Sequence, residues 1–190
     1  AKNYKVAGWA SVSEQPDDAS NTLRIGLAAM LPPEMIRPFE NRFGVQLLDT
    51  YGMTEVEPIT VPDRSRENPD GSSGILNQDF EIMFADENDH PLTAGERGQI
   101  LVRPRITNGM MLGYEDDDAA TLEVFRNLWF HTGDLGHQNE DGFIFVHGRV
   151  KHMIRRRGEN ISAWELEKFI GDHPDVDEVA CVGVPATMGE

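Results

Sequence analysis

Asp134 and Arg149 lie fifteen residues apart on either side of a turn signal, Asp141-Gly142. A hairpin there would bring a carboxylate and a guanidinium to one ligand from opposite strands. Gly133 lets that ligand approach the backbone, and the Asp134 carboxylate can accept two hydrogen bonds from a vicinal diol such as ribose. Taken alone, Gly133-Asp134 also fits a turn aspartate that bonds its own backbone; Arg149 supplies the second, converging position. Tyr51 to Glu55 could serve other parts of such a ligand. Tyr51 offers a flat face to a purine base, Gly52 close approach, Thr54 a hydroxyl to a phosphate oxygen, and Glu55 a hard oxygen to Mg2+. The same five residues equally fit a Tyr-Gly turn leading into an exposed Thr-Glu pair. Their types alone do not choose.

Five cations follow between Arg149 and Arg157, namely Arg149, Lys151, Arg155, Arg156 and Arg157, and the run ends in Gly158. A charge run is usually a solvated face, but a glycine turn lined with cations also suits phosphates on a small ligand. The formal charge of -16, from 33 acidic and 17 basic residues, argues against a general surface for nucleic acid or anionic membrane. The run also lacks the interleaved aromatics of a single-strand groove. Any anion site is therefore local. His131, His137, His147 and His152 fall at no zinc spacing, there is no G-x-S-x-G elbow, and Gly71-Ser72-Ser73-Gly74 lacks the lysine of a phosphate loop and reads as a turn. Cys181 is the one cysteine; in the apolar run Val179 to Val182 it reads as a buried, inert thiol in a reducing, cytoplasmic setting. No apolar run spans a membrane and no signal peptide is legible.

The elements that must position these residues can be read coarsely. Residues 1–22 read as loop. Leu23 to Leu27 reads as a strand, Pro32 to Phe43 as a helix stopped by Gly44, and Val45 to Leu48 as a second strand, which is a parallel βαβ unit delivering Tyr51 to Glu55 at its C-terminal edge. From Ile59 to Phe145 short strands alternate with turns, at Gly74 to Leu76, Phe80 to Ala85 and Gln99 to Arg103, giving a small, mostly β part. Phe143 to Val146 follows the turn, and His147-Gly148 is expected to interrupt it. Ser162 and Glu165 fit a capping box for a helix whose apolar residues are Trp164, Leu166, Phe169 and Ile170, ended by Gly171 and Pro174. Residues 178–184 read as a last strand. The expected organisation is α/β and α+β: residues 1–58 end an α/β nucleotide-binding subdomain, 59–147 form a β-rich, distorted-barrel subdomain, and 148–190 hold a hinge and the start of an α+β lid. About 40 residues bury little core alone, so the chain reads as part of a longer protein.

With these residues set out, the chain resembles the AMP-forming acyl-CoA synthetases, a family that also includes aryl-CoA ligases, luciferases and the adenylation domains of peptide synthetases. Tyr51-Gly-Met-Thr-Glu55, Gly95-Glu-Arg-Gly98, Trp129-Phe-His-Thr-Gly-Asp134, and Gly148-Arg-Val-Lys151 through Gly158-Glu-Asn-Ile161 carry the resemblance, in the family's order and spacing, from about residue 23 onward. It implies attack of a carboxylate on the α-phosphate of ATP, then displacement of AMP by the thiol of CoA. It places nucleotide binding at Asp49, Thr50, Tyr51, Gly52, Met53, Thr54, Asp134, Val146 and Arg149, and catalytic positions at Thr54, Glu55 (with Mg2+) and Lys151, the last as a hinge. Arg155, Gly158 and Glu159 would meet CoA, and Ala28 and Ala29 would border the acyl pocket. Alanine and methionine in Leu27 to Leu31, where the family often has glycine and proline, and Gln99 for its usual glutamate are departures.

The family's phosphate loop would lie before residue 23 and its adenylation lysine after Glu190, so these 190 residues alone are expected to lack ligase activity. The Arg156-Arg-Gly-Glu-Asn-Ile-Ser162 string and Trp164 resemble stand-alone fatty or carnitine-type acyl-CoA ligases. Loading of a carrier protein, or a non-catalytic nucleotide-binding or interaction module, are the alternatives. The partners expected are a small carboxylic acid, ATP and CoA, with no nucleic acid; the sequence leaves the oligomeric state open.

Overall fold

A computed structural model describes residues 12–29, 33–156, 159–171, 173 and 175–184, with the side chains at 29, 33, 155, 156, 159, 160, 164, 165 and 168 outside that description. The chain divides into two units, one holding residues 1–81, 104–113 and 138–145, the other 82–103, 114–137 and 146–190.

In the first unit, β1 (Ile25–Ala29) and β2 (Gln46–Thr50) pair in parallel, and α1 (Pro33–Phe43) makes the crossover that parallel neighbours require. The expected strand, helix and strand are all present with shifted ends. β1 begins at Ile25 rather than Leu23 because the Asn21 side chain takes the Leu23 amide at 2.9 Å. β2 runs on past Leu48 to Thr50 and so leads directly into Tyr51. Glu34 in the first turn of α1 and Arg42 in the last complement the helix dipole. The Gly44 amide closes the helix on the Glu40 carbonyl at 2.9 Å, and Asn21 Nδ2 donates to the Phe43 carbonyl at 2.8 Å. The helix continues through Pro38, which has no N–H to give its ladder. β3 (Thr60–Val61) and β4 (Ile75–Leu76) then pair antiparallel. Before β4 the expected turn carries a Ser72 amide to Pro69 carbonyl bond of 3.0 Å. Gly74 has φ +91, and a Cβ there would run into the Val61 carbonyl. Val45, Tyr51, Val56, Ile59, Phe80, Phe143 and Ile144 are buried in this unit.

The second unit holds most of a five-stranded sheet. β5 (Phe80–Ala85), β6 (Gly98–Pro104), β8 (Trp129–Gln138) and β7 (Phe125–Arg126) neighbour one another in that order, and β9 (Ile144–Arg149) also pairs with β8. Leu101 lies opposite His131 and Val102 opposite Phe130, with a shift in register between Gln99 and Leu101. Such an irregularity bends a sheet, as the expected distorted, mostly β part requires. Ile100, Leu101, Val102 and Phe130 are fully buried in it. A helix interrupts the β pattern: α2 (Asp118–Val124) is capped by the Asp117 carboxylate, which accepts from the Ala120 amide at 2.9 Å. Its signal was an aspartate ahead of Asp118-Ala-Ala-Thr-Leu.

β9 does not stop at His147-Gly148. It passes through them to Arg149, with Gly148 at φ +105 absorbing the distortion. A single 3-10 turn (Val150–His152) follows, then β10 (Met153–Arg156) and β11 (Glu159–Ser162), antiparallel, and α3 (Ala163–Gly171) starting directly after Ser162. The Glu165 half of the capping box lies outside the described side chains. Phe169 and Ile170 face solvent, so they do not act as the buried stripe expected of α3. Residues 178–184 form no strand, since no partner strand takes up their backbone groups among the described residues. Cys181 is half-buried rather than buried, its amide donating to Glu167 Oε1 at 2.8 Å. Among the described residues no helix is long and apolar enough to cross a membrane.

Candidate functional site

In the first unit the chemistry-bearing residues sit at the C-terminal end of the parallel pair, where side chains of adjacent strands share an edge. Ala28 lies opposite Asp49 and Ala29 opposite Thr50, so the residues expected to border an acyl pocket are the strand neighbours of two expected to meet the nucleotide. Asp49 Oδ1 accepts from the Thr50 amide at 2.9 Å. Tyr51 is 3% exposed. Its backbone is clamped by Thr60: the Tyr51 amide donates to Thr60 Oγ1 at 2.8 Å, and the Tyr51 carbonyl accepts from the amides of Ile59 and Thr60 at 2.9 and 3.1 Å. Thr60 Oγ1 in turn donates to the Ser73 carbonyl.

Beyond Tyr51 the chain folds into a miniature hairpin. Met53 and Val56 exchange both backbone bonds, at 3.0 and 2.9 Å, which leaves Thr54 and Glu55 as its two-residue tip. Gly52 lies beside this turn, where a Cβ would come within 3.1 Å of Glu57 Cγ. Thr54 is exposed and Glu55 half-buried, with the Glu55 carbonyl held by the Met111 amide at 2.8 Å. This presents a hydroxyl and a carboxylate side by side on a braced turn. Sequence reasoning named both residues but missed Thr60, whose spacing from Tyr51 gives no local signal.

In the second unit the hairpin expected from Asp141-Gly142 does bring Asp134 and Arg149 together. Arg149 Nε meets Asp134 Oδ1 at 2.8 Å, and Arg149 Nη1 donates to the Thr132 carbonyl at 3.2 Å. Arg149 passes close to Gly133, where a Cβ would stand 3.7 Å from Nη1. Space is therefore not what requires glycine; its φ of +74 is. Asp134 is buried at 5% exposed, and its amide donates to Thr132 Oγ1 at 3.1 Å, which itself donates to the Ile100 carbonyl at 2.9 Å. Thr132 thus ties the aspartate's strand to β6. Val146 is half-buried on β9, and Lys151 is exposed in the 3-10 turn between β9 and β10. Arg155 and Glu159 lie on β10 and β11 with their side chains outside the description, and Gly158 is outside the described residues.

His131, two residues from Gly133, is buried beside Arg126, whose Nη2 approaches His131 Nδ1 at 3.0 Å. The same Nδ1 lies 3.3 Å from Gln99 Oε1, and Nε2 faces Asp89 Oδ2 at 3.6 Å. Burial first and the Arg126 charge also push this histidine below its ordinary range, against the pull of Asp89.

The chain is similar to known proteins. The family described as AMP-binding enzyme matches residues 4–115, beginning upstream of Leu23 in a stretch that carries no legible chemistry. The chain belongs to that family. An indoleacetate–CoA ligase of Aromatoleum aromaticum is 36% identical over 172 residues, 89% of this chain and 33% of the relative. A crotonobetaine/carnitine–CoA ligase of Salmonella typhimurium is 36% identical over 148 residues, 77% of this chain and 29% of the relative. The solved structure of the anthranilate CoA ligase AuaEII in complex with anthranoyl-AMP superposes with a TM-score of 0.72 at 28% identity, covering 86% of this chain and 31% of that one. The chain spans about a third of the length of these AMP-binding relatives. The mixed α/β architecture with its bent sheet is the fold they share.

Proposed function

We propose that this chain is the nucleotide-handling part of an AMP-forming carboxylate–CoA ligase. The observation that carries the reading is the buried Asp134 carboxylate held by Arg149 at 2.8 Å within the Trp129 to Asp134 signature. In the first half-reaction a carboxylate oxygen of the acid attacks the α-phosphorus of ATP, the bond to the bridging oxygen breaks, and pyrophosphate leaves from the acyl-adenylate. In the second, the CoA thiolate attacks the acyl carbon and AMP leaves with the electron pair.

Asp134 accepts from both ribose hydroxyls, with Arg149 fixing its carboxylate. Tyr51, with Asp49, Thr50, Gly52, Met53 and Val146, belongs to the adenine side, and Thr54 contacts the α-phosphate. Glu55 suits Mg2+ in the usual manner of one protein carboxylate completed by substrate phosphate oxygens. A half-buried carboxylate on a braced turn fits that requirement, and the ion would offset phosphate charge there. Ala28 and Ala29 border the acyl group; Arg155, Gly158 and Glu159 meet CoA; Lys151 is the hinge. We place the subdomain boundaries near 58 and 147 and the enzyme in the cytoplasm. The relatives' names cover an aromatic acetate, an aromatic carboxylate and carnitine-type acids, and a fatty acyl group is the further class to assay.

Asp134→Ala in the full-length protein tests this. Loss of hydrogen bonds to a charged group costs roughly 1.5 to 3 kcal/mol, so the apparent affinity for ATP should fall about ten- to a hundredfold. An unchanged affinity would remove the ribose role. Comparing free CoA with a phosphopantetheinylated carrier as acceptor separates CoA ligation, which is expected, from carrier loading.

A further inference from the structure

His137 on β8 and His147 on β9 meet at 2.7 Å between Nδ1 of the first and Nε2 of the second. Their rings are parallel within 2°, with centroids 4.9 Å apart. Parallel planes containing atoms 2.7 Å apart can be no further apart than that, which is less than the roughly 3.5 Å that stacked carbon atoms need. The rings therefore meet edge to edge, nitrogen to nitrogen. Such a contact holds one proton: one nitrogen donates and the other must be bare.

His147 stands two residues before Arg149 on β9 and His137 three residues after Asp134 on β8, so their contact ties together the two strands that carry the ion pair. The charge that acts on His137 from outside the hairpin is Arg97, in the turn before β6; on β9 itself the charged side chain is Arg149, and on β8 it is Asp134. Burial and Arg97 both push His137 below the ordinary histidine range, so it is neutral and able to accept at pH 7.

We propose that His137 and His147 form a proton-sharing clasp that positions Arg149 on Asp134, and that adding a second proton to the pair opens it. This rests on the ligase reading only for its consequence, which is weaker ATP binding in acid. A first proton goes to an outward nitrogen and leaves a charge-assisted N–H···N bond intact. A second must go to the remaining bare nitrogen between the rings, and two facing N–H groups repel. The pair titrates as a unit, and the clasp is lost in the lower of its two steps.

The test uses full-length protein carrying 15N-labelled histidine and arginine. Through-bond coupling between His137 Nδ1 and His147 Nε2 is expected at pH 8, with its loss at the lower titration step. The Arg149 Nε–H should be protected from exchange above that step and exposed below it, and in His147→Gln it should be exposed at every pH. The ATP KM of the wild type should rise several-fold across the same step, and that of His147→Gln should be raised and flat. Absent coupling, independently titrating rings, or an Arg149 signal indifferent to pH and to His147→Gln overturns the clasp. An intact clasp with the expected Arg149 behaviour but no carboxylate-dependent pyrophosphate release supports the clasp and overturns the ligase reading instead.

Discussion

Burial divides the two members of the Asp134–Arg149 pair: the aspartate side chain is 8% exposed and the arginine 52%. The carboxylate is the fixed partner and the guanidinium the one able to readjust around a ligand. Half in water, the pair is a weak source of stability, so its value lies in orientation. Residue type and a turn signal made both members legible. The contacts of Thr132 and His131 were not, because a threonine joining two strands and a histidine bonded to Arg126 depend on register that no local pattern encodes. His131 leads to a pH prediction. Its folded pKa lies below the free value of 6.5, so the unfolded chain takes up this proton first as acid is added. The stability it contributes is complete above 6.5 and is lost as pH falls from there through the folded value. The urea midpoint should drop over that interval, and His131→Gln should flatten the drop; an equally steep fall in the variant would assign the acid sensitivity elsewhere.

At the scale of elements, the β7–β8 connection is a two-residue turn, Asn127-Leu128, with φ of 51 and 65. Both angles are left-handed, the geometry that hairpins with Asn-Gly adopt, and here a leucine 87% exposed takes the glycine's place. Leu128→Gly should raise stability by up to about 1 kcal/mol, because relief of the left-handed penalty exceeds the added freedom of the unfolded chain. Thermal or urea unfolding that shows no gain would mean the turn relaxes at no cost. The same turn explains a gap in the sequence reading. Asn-Leu is no hairpin signal, so the ten-residue strand β8 was seen only as a motif, whereas Asp141-Gly142 announced its other end. α2 went unseen because short strands on both sides set the expected period, although Asp117 marked its start.

At the scale of the molecule, family membership was the most legible property, since ordered motifs survive where single residues are ambiguous. The chain spans about a third of its relatives, and a site assembled from a third of such a protein is expected to bind poorly and catalyse nothing. Carboxylate-dependent pyrophosphate release from the 190 residues alone would contradict this. In the full-length protein, Lys151→Pro stiffens the 3-10 turn between β9 and β10 and should spare adenylation more than thioester formation, since a hinge can gate one step and not the other. Single-turnover assays of each half-reaction decide it; equal losses would remove the hinge role. The turn at Asn127 also bears on how long each molecule lasts. An asparagine side chain ages by cyclising onto the next backbone nitrogen, fastest when glycine follows, and Leu128 shields that nitrogen while Asp89 Oδ2 holds Asn127 Nδ2 at 2.6 Å. The substitution that steadies the fold would therefore be expected to shorten its chemical lifetime, leaving an extra negative charge beside Asp89 as the sample ages.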